Sequence, residues 1–300
     1  MLLHTNPYRE RDCFVIFPEI LLCTDLDRTL IPNGDEPESP NSRILFNQLC
    51  SRPEVSLVYV SGRDKDLILQ AIHDFKLPYP DFAISDVGST IYKITNKTWN
   101  ICYDWTKMIA HDWRENSTET LVKLLKTIPD LCLQEASKQN TYKLSYYLSL
   151  QKNHVDIINR IIYILRNNAF RSNVIWSIDT IKNIGLIDIL PQSANKLTSI
   201  HWLANKLNFK ENNVIFAGDS GNDMDVICSD IPSIIVANAT SEFKSHARSM
   251  VQKSDLQDTL YIASGFTNRL NGNYAAGILE GICHYKPEVE EWLLSELLST

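Results

Sequence analysis

Short apolar runs alternate with amphipathic stretches along the first third of the chain. Ile20-Leu21-Leu22-Cys23 opens a predicted strand over 20–25, Val55–Val60 a second, and Phe82–Ser85 a third. Between them, apolar positions at helical spacing predict helices over about 41–51 and 64–75. The alternation is that of βαβ units building a parallel sheet. Pro32, Gly34, Pro37 and Pro40 leave the tract 32–40 as a loop, because Pro removes a donor and Gly favours turns.

From Thr95 to about Ile184 the pattern changes. Trp99–Asp104 is predicted as a strand and Ser117–Ile128 as a helix capped by Ser117. Tyr142–Leu150 is predicted as a strand with alternating faces, Lys143, Ser145 and Tyr147 on one and Leu144, Tyr146 and Leu148 on the other. A helix over His154–Arg166 carries an apolar stripe at Val155, Ile158, Ile161, Ile162 and Leu165. Strands over Asn173–Ile178 and Gly185–Leu190 close the segment. One-sided alternation suits an antiparallel sheet, so the segment is expected to be an α+β unit inserted into the α/β layer. Its boundaries fall near 95 and 188: residues 1–95 and 189–300 form the core, and 96–188 the insertion. After Pro191 the earlier rhythm resumes, with a helix over 195–207, a strand over 214–217, a helix over 222–228, a strand over 233–236 and a helix from about Asn273 to His284.

Four polar clusters stand where predicted strands end or helices begin. They are Asp25-Leu26-Asp27-Arg28-Thr29, Ser61-Gly62-Arg63, Lys196, and Gly218-Asp219-Ser220-Gly221-Asn222-Asp223. The carboxyl ends of parallel strands are where open α/β sheets bind ligands. An aspartate at a strand end can attack phosphorus and bind a hard cation, and a second, two residues on, can protonate a leaving oxygen. For that task Asp27 is expected to have a raised pKa. Ser61 can hydrogen-bond a phosphoryl oxygen, Gly62 allows close approach, and Lys196 brings a positive charge to the transferring group. Asn222 is expected at the phosphate or in fixing its loop, Arg28 pointing to solvent or to the insertion, and Thr29 holding its turn. A calcium loop over Asp219–Asp225 lacks the closing Glu and the spacing of an EF-hand.

These clusters, in this order, resemble the haloacid dehalogenase (HAD) superfamily of aspartate-nucleophile phosphatases. The segments Phe82–Tyr92, Tyr142–Leu148, Asp188–Lys196 and Ala275–Ile282 are similar to its sucrose-phosphate phosphatase branch. The resemblance implies a Rossmann-like α/β core with a parallel sheet and an inserted α+β type II cap. It also implies an aspartyl-phosphate intermediate on Asp25 and a Mg²⁺ ion held by Asp25, the Asp27 backbone carbonyl and Asp219, with Asp223 binding a metal-coordinated water or orienting Lys196. The implied substrate is a phosphorylated sugar, foremost sucrose 6-phosphate. Sugar contacts are expected from the cap, at Lys143, Ser145 and Tyr147, with Asp188 binding sugar or bracing the hinge. Trp99, Trp105, Trp113 and Trp176 are expected as packed cap aromatics. The rival readings are mannosylfructose-phosphate or mannosyl-3-phosphoglycerate phosphatase, a phosphohexomutase, and a non-catalytic sugar-phosphate-binding partner of a synthase. Departures from the branch are about 18 additional N-terminal residues, the long 32–40 loop and the connection 179–184.

Composition narrows the partners. Twenty-nine Lys and Arg against 36 Asp and Glu give a net charge of −7, which disfavours nucleic acid. The substrate phosphate must then meet local positive charge and metal. Cys13, Cys23, Cys50, Cys102, Cys132, Cys228 and Cys283 show no CxxC spacing, as expected of reduced thiols in a cytoplasmic protein. No secretory signal or membrane-length apolar run is evident. The expected state is a monomer or weak oligomer, with a sugar-phosphate synthase as the protein partner considered.

Overall fold

A computed structural model describes residues 17–179, 182–266 and 269–299. Cys13 lies outside them.

Eight strands form the larger sheet: β1 (Ile20–Thr24), β2 (Val55–Val60), β3 (Phe82–Ser85), β4 (Thr90–Thr95) and β5 (Thr98–Ile101), with β10 (Val214–Gly218), β11 (Ser233–Ile235) and β12 (Leu260–Ile262). Their order is β12-β11-β10-β1-β2-β3-β4-β5. Pairing is parallel from β12 to β3 and antiparallel through β4 and β5. All five residues of β1 are buried, because the strand is central and covered on both faces. Ile20 and Leu22 join the core on the side of α1 (Ser42–Cys50), α2 (Lys65–Phe75), α9 (Ala275–Tyr285) and α10 (Glu288–Ser299). Leu21 and Cys23 join the core on the side of α3 (Tyr103–Ala110), α6 (Lys196–Leu207), α7 (Met224–Ile227) and α8 (Ser241–Lys253).

The smaller sheet is antiparallel, in the order β6-β7-β9-β8, from β6 (Cys132–Leu133), β7 (Leu144–Leu148), β8 (Ser172–Asp179) and β9 (Ile184–Pro191). Helices α4 (Thr118–Leu125) and α5 (His154–Asn167) cover one face. There Leu121, Leu125, Ile161 and Leu165 pack on Leu144, Tyr146, Leu148, Ile187 and Ile189. The opposite face carries Ser145, Asp188 and Ile175, which lie side by side in register.

The strand expected over Trp99–Asp104 is instead β5 followed by α3. The expected boundary at 95 therefore falls in the β4–β5 hairpin, where Asn96 and Lys97 have positive φ. The cause is a continuation of the apolar pattern. Ile91 pairs into the large sheet, Trp105 and Ile109 are fully buried in its core, and Trp105 packs against Trp202 with ring centroids 5.5 Å apart. Trp99 meets Tyr92 on the opposite side of the same sheet. Trp113 is buried in the cap core with Tyr146 and Phe170, and Trp176 stacks on His154.

Between β3 and β4 the chain makes a left-handed turn: Asp86, Val87 and Gly88 have φ of 52°, 60° and 97°. A β-branched residue at positive φ is strained. Backbone N–H groups of Asp86 and Val87 hold the turn by donating to Arg63 O and Ser61 O, at 3.0 and 3.1 Å. A Cβ at Gly88 would stand 2.7 Å from the Asn195 carbonyl, so the glycine lets this turn seat against the start of α6.

Candidate active site

The four polar clusters meet at the carboxyl edge of the large sheet. Asp25 leaves β1 with its N–H donating to Ala217 O at 2.9 Å, and its own carbonyl accepts the Thr24 hydroxyl at 2.8 Å. The backbone is thereby fixed on both sides and the carboxylate is 4% exposed. Lys196, the first residue of α6, is placed by Asn195, whose side chain caps that helix by accepting from Thr198 N. Its ammonium lies 3.2 Å from Asp25 Oδ1 and 2.6 Å from Asp223 Oδ1. Asp223 Oδ2 accepts from the backbone N–H of Asp219 and Ser220, at 3.0 and 3.2 Å. Asp223 is thus a brace, tying Lys196 to the loop that carries Asp219.

Asp25, Asp219 and Asp223 are all buried, with a carboxylate oxygen from each within 4.8 Å of the others. Burial raises Asp25 to about 7, with Lys196 opposing and Asp223 adding to the rise. Burial and then the Asp223 charge raise Asp219 to about 6. Burial disfavours the Lys196 charge, but Asp223 and Asp25 outweigh it and the net shift is upward. Three buried carboxylates share one buried ammonium. An oxygen-only donor set short of positive charge is what a hard divalent cation fits, and Asp25 and Asp219 are the residues that would hold it, with Asp223 already committed to Lys196.

Arg28 and Thr29 differ from expectation. The Thr29 hydroxyl donates to Asp219 Oδ1 at 3.2 Å, so it steadies a carboxylate of the cluster rather than its own turn. Arg28, at φ 58°, lies 3.4 Å from Glu36 and 3.6 Å from Asp219, placing a half-exposed positive charge beside the cluster. Both carboxylates arrive only through the fold, from the 32–40 loop and from the far end of the chain.

Asp27 also differs. Arg63 grips it through two donors, Nη2 to Oδ1 at 2.7 Å and Nε to Oδ2 at 2.8 Å. Asn33 adds a third contact at 2.8 Å. Burial acts to raise Asp27, but the hydrogen bonds and charge of Arg63 outweigh it and the pKa is lowered, not raised. The expected raised value overlooked Arg63, which stands in the same short motif as Ser61 and was visible there. Ser61 is buried, its Oγ accepting from Arg63 N at 3.2 Å.

Between the sheets lies a cavity of about 790 Å³, lined by Gly62, Lys196 and Asn222 from the core and by β8 and Asp188 from the cap. Asn222 Oδ1 accepts the Ser220 hydroxyl at 3.0 Å. Lys143, Ser145 and Tyr147 do not line it. Lys143 is buried and paired with Asp86 at 3.3 Å. Ser145 donates to Asp188 Oδ1 at 2.5 Å. Tyr147 donates to Glu135 at 2.8 Å on the exposed flank. The face predicted for β7 is the one turned toward the core, but β9 lies between β7 and the edge strand β8. Asn173, Ile175 and Ser177 of β8 therefore reach the cavity; alternation along β8 held this signal, and only its strand character was inferred.

A profile of the sucrose-6F-phosphate phosphohydrolase family matches residues 18–286. The chain belongs to that family. As a member it is a HAD-superfamily phosphatase, a phosphoric monoester hydrolase. A Nitrosococcus oceani protein named only as a HAD-like hydrolase is 45% identical over 92% of this chain and 74% of its own length. The mannosylfructose-phosphate phosphatase of Agrobacterium fabrum is 26% identical over 89% of this chain and 97% of its own. The solved sucrose-phosphatase of Synechocystis, in complex with sucrose and phosphate, shares the fold at a TM-score of 0.67 and 24% identity, covering 90% of this chain and 98% of the other. The chain spans only 51–60% of the length of the plant sucrose-phosphatases it matches. Among the described residues no helix is long and apolar enough to cross a membrane.

Proposed function

We propose that this family member hydrolyses a sugar phosphate, foremost sucrose 6-phosphate, through an aspartyl-phosphate on Asp25. The observation that carries the reading is the placement of Asp25 at the end of β1, 3.2 Å from Lys196, which itself lines the cavity between core and cap. Asp25 attacks phosphorus while Lys196 offsets charge on the transferring group. The negative charge of a bound phosphate opposes Arg63 and favours protonation of Asp27, which then gives that proton to the leaving sugar oxygen and takes one from the water that cleaves the aspartyl-phosphate. Ser61 and the backbone at Gly62 hold phosphoryl oxygens, and Asn222 keeps the loop at their side. Asp25 and Asp219 would hold a Mg²⁺ ion, which would supply Lewis-acid charge neutralisation of the phosphate.

The cavity size supports a disaccharide phosphate over a triose phosphate, since small-molecule sites run to roughly 300–1,000 Å³. Sugar recognition then falls to β8 and Asp188. The end-to-end match to a mannosylfructose-phosphate phosphatase makes that ester the second reading. A cytoplasmic location and a synthase partner complete the proposal. The test is phosphate release from sucrose 6-phosphate, mannosylfructose phosphate, glucose 6-phosphate and p-nitrophenyl phosphate, with Mg²⁺ or with EDTA. The reading expects sucrose 6-phosphate to have the highest kcat/KM and EDTA to abolish turnover. Equal kcat/KM across the panel would remove sucrose 6-phosphate as the substrate.

A further inference from the structure

We infer that Glu36, in the 32–40 loop, is a positioning residue that sets cation affinity at Asp219 by holding the Arg28 charge away from it. The inference rests on the reading of Asp219 as a cation ligand. The turn after β1 approaches that carboxylate on both oxygens. Oδ1 accepts the Thr29 hydroxyl at 3.2 Å, and Oδ2 faces Arg28 Nε at 3.6 Å, beyond hydrogen-bond length. The guanidinium makes its hydrogen bonds on the other side. Its Nη2 donates to Glu36 Oε1 and Oε2, at 3.4 Å each, and to the Asn238 carbonyl at 3.3 Å.

This outward partner is anchored by residues from far along the chain. The hydroxyl of Tyr274, a buried residue, donates to Glu36 Oε2 at 3.3 Å. Beside Glu36, the Pro37 carbonyl accepts from the side-chain amides of Asn271 and Asn273 at 2.8 and 3.0 Å. Asn238 closes the ring: its Nδ2 donates to Arg28 O at 2.5 Å, and its Oδ1 accepts from Tyr274 N at 2.9 Å. Arg28 thus has a fixed backbone and a side chain shared unequally between Glu36 and Asp219.

A positive charge at that spot has two opposed effects. It offsets the Asp219 carboxylate while no cation is bound, and it repels a cation that takes the same oxygen. Glu36 decides the balance, because the hydrogen bonds it accepts from Nη2 keep the guanidinium turned from Oδ2. Without them Arg28 is free to pair with Asp219 directly, and a cation must displace it to reach its ligand. No residue of the 32–40 loop lines the cavity between core and cap, so the influence of Glu36 on the site passes through Arg28.

The probe is Mn²⁺ alone, followed by the electron paramagnetic resonance signal of the free ion. It is titrated into the whole chain without substrate, at fixed pH and about 0.15 M salt to screen distant charges. The variants are Asp219→Asn, Arg28→Asn, Glu36→Gln and Arg28→Asn/Glu36→Gln, with Asn chosen because it tolerates the φ of 58° at position 28. Arg28→Asn should tighten Mn²⁺ binding about tenfold and Glu36→Gln should weaken it about tenfold, the scale of a half-screened charge a few ångströms from an ion. The double variant should bind as Arg28→Asn does, because Glu36 then has nothing to restrain. Loss of packing alone would not give opposite signs at two paired residues. Asp219→Asn should bind Mn²⁺ more weakly than all of these. A Glu36→Gln loss that persists in the Arg28→Asn background, or an Arg28→Asn variant that binds less tightly than wild type, would overturn the role of Glu36 and leave the cation site standing. Wild-type affinity in Asp219→Asn would overturn both. Should Glu36→Gln fail to fold, Tyr274→Phe, which removes one hold on Glu36, should weaken Mn²⁺ in the same direction and lose that effect beside Arg28→Asn.

Discussion

Asp25, Asp219 and Asp223 crowd three acidic groups around Lys196, and each has a separate task. Asp25→Asn should cut phosphate release by about a thousandfold or more, because an amide neither attacks phosphorus nor balances a cation, and circular dichroism should show an unchanged fold. The raised values of Asp25 and Asp219 also set a pH dependence of stability in the metal-free protein. A folded-state pKa above the unfolded one means that the native state holds its proton more tightly. The resulting stability is complete below the ordinary carboxylate range and is lost as pH rises through about 6 for Asp219 and about 7 for Asp25. In EDTA, thermal midpoints should therefore fall between pH 5 and pH 8. Asp219→Asn should flatten part of that slope, and Mg²⁺ should flatten it in the wild type by stabilising the ionised forms. A wild-type midpoint that is level across this range in EDTA would contradict the assigned cause. Asp27 teaches the complementary lesson: spacing from Asp25 exposed its candidacy, but its electrostatics depended on a partner 36 residues away.

At the scale of elements, the turn Asp86-Val87-Gly88 is a joint between β3, the Ser61 loop and the start of α6. Gly88→Ala would force a side chain into positive φ and against the Asn195 backbone. About 2–4 kcal/mol of stability should be lost, read from urea unfolding, and turnover should fall because Lys196 is the next residue. In the cap, Asn173→Ala or Ser177→Ala should raise KM for the disaccharide phosphate more than for p-nitrophenyl phosphate, whereas Tyr147→Ala, on the outer flank, should leave the ratio unchanged. Steady-state kinetics on the two esters decides this. The parallel strands were legible because both faces of β1, β2 and β10 are covered, leaving unbroken apolar runs. Helix α5 was legible from its apolar positions Val155, Ile158, Ile161, Ile162 and Leu165, although only Ile161 and Leu165 are buried. Helix α8 was not, since the sequence Ser241–Lys253 is mostly polar around its buried Phe243, Ala247 and Val251. The strand expected from Trp99 was placed in the insertion, whereas β5 pairs with β4 in the large sheet, because local alternation says that a strand exists, not which sheet receives it. That β8 and not β7 borders the cavity was not legible either: period two gives the face, while lateral order within a sheet is a long-range property.

Across the whole molecule, the cap and core are joined by more than their connecting strands. Lys143 reaches Asp86 at 3.3 Å in a buried pair, Lys138 reaches Asp64 at 3.5 Å, and Asn140 donates to Ser89 at 3.0 Å. Removing one partner of a buried pair strands the other charge, so Lys143→Met should cost about 3–5 kcal/mol. The double variant Lys143→Met/Asp86→Asn should regain most of this in a urea titration, since it leaves no orphan charge and Asn tolerates the positive φ at position 86. The central place of β1 bears on how the chain is made. This strand is synthesised before β10, yet Leu21 pairs with Val214, so one of its edges lies open while roughly 190 further residues are added, some 10–40 s at ordinary translation rates. For that interval Ile20-Leu21-Leu22-Cys23 is an unprotected apolar edge, and the nascent chain is at its most prone to aggregate before the ribosome reaches β10.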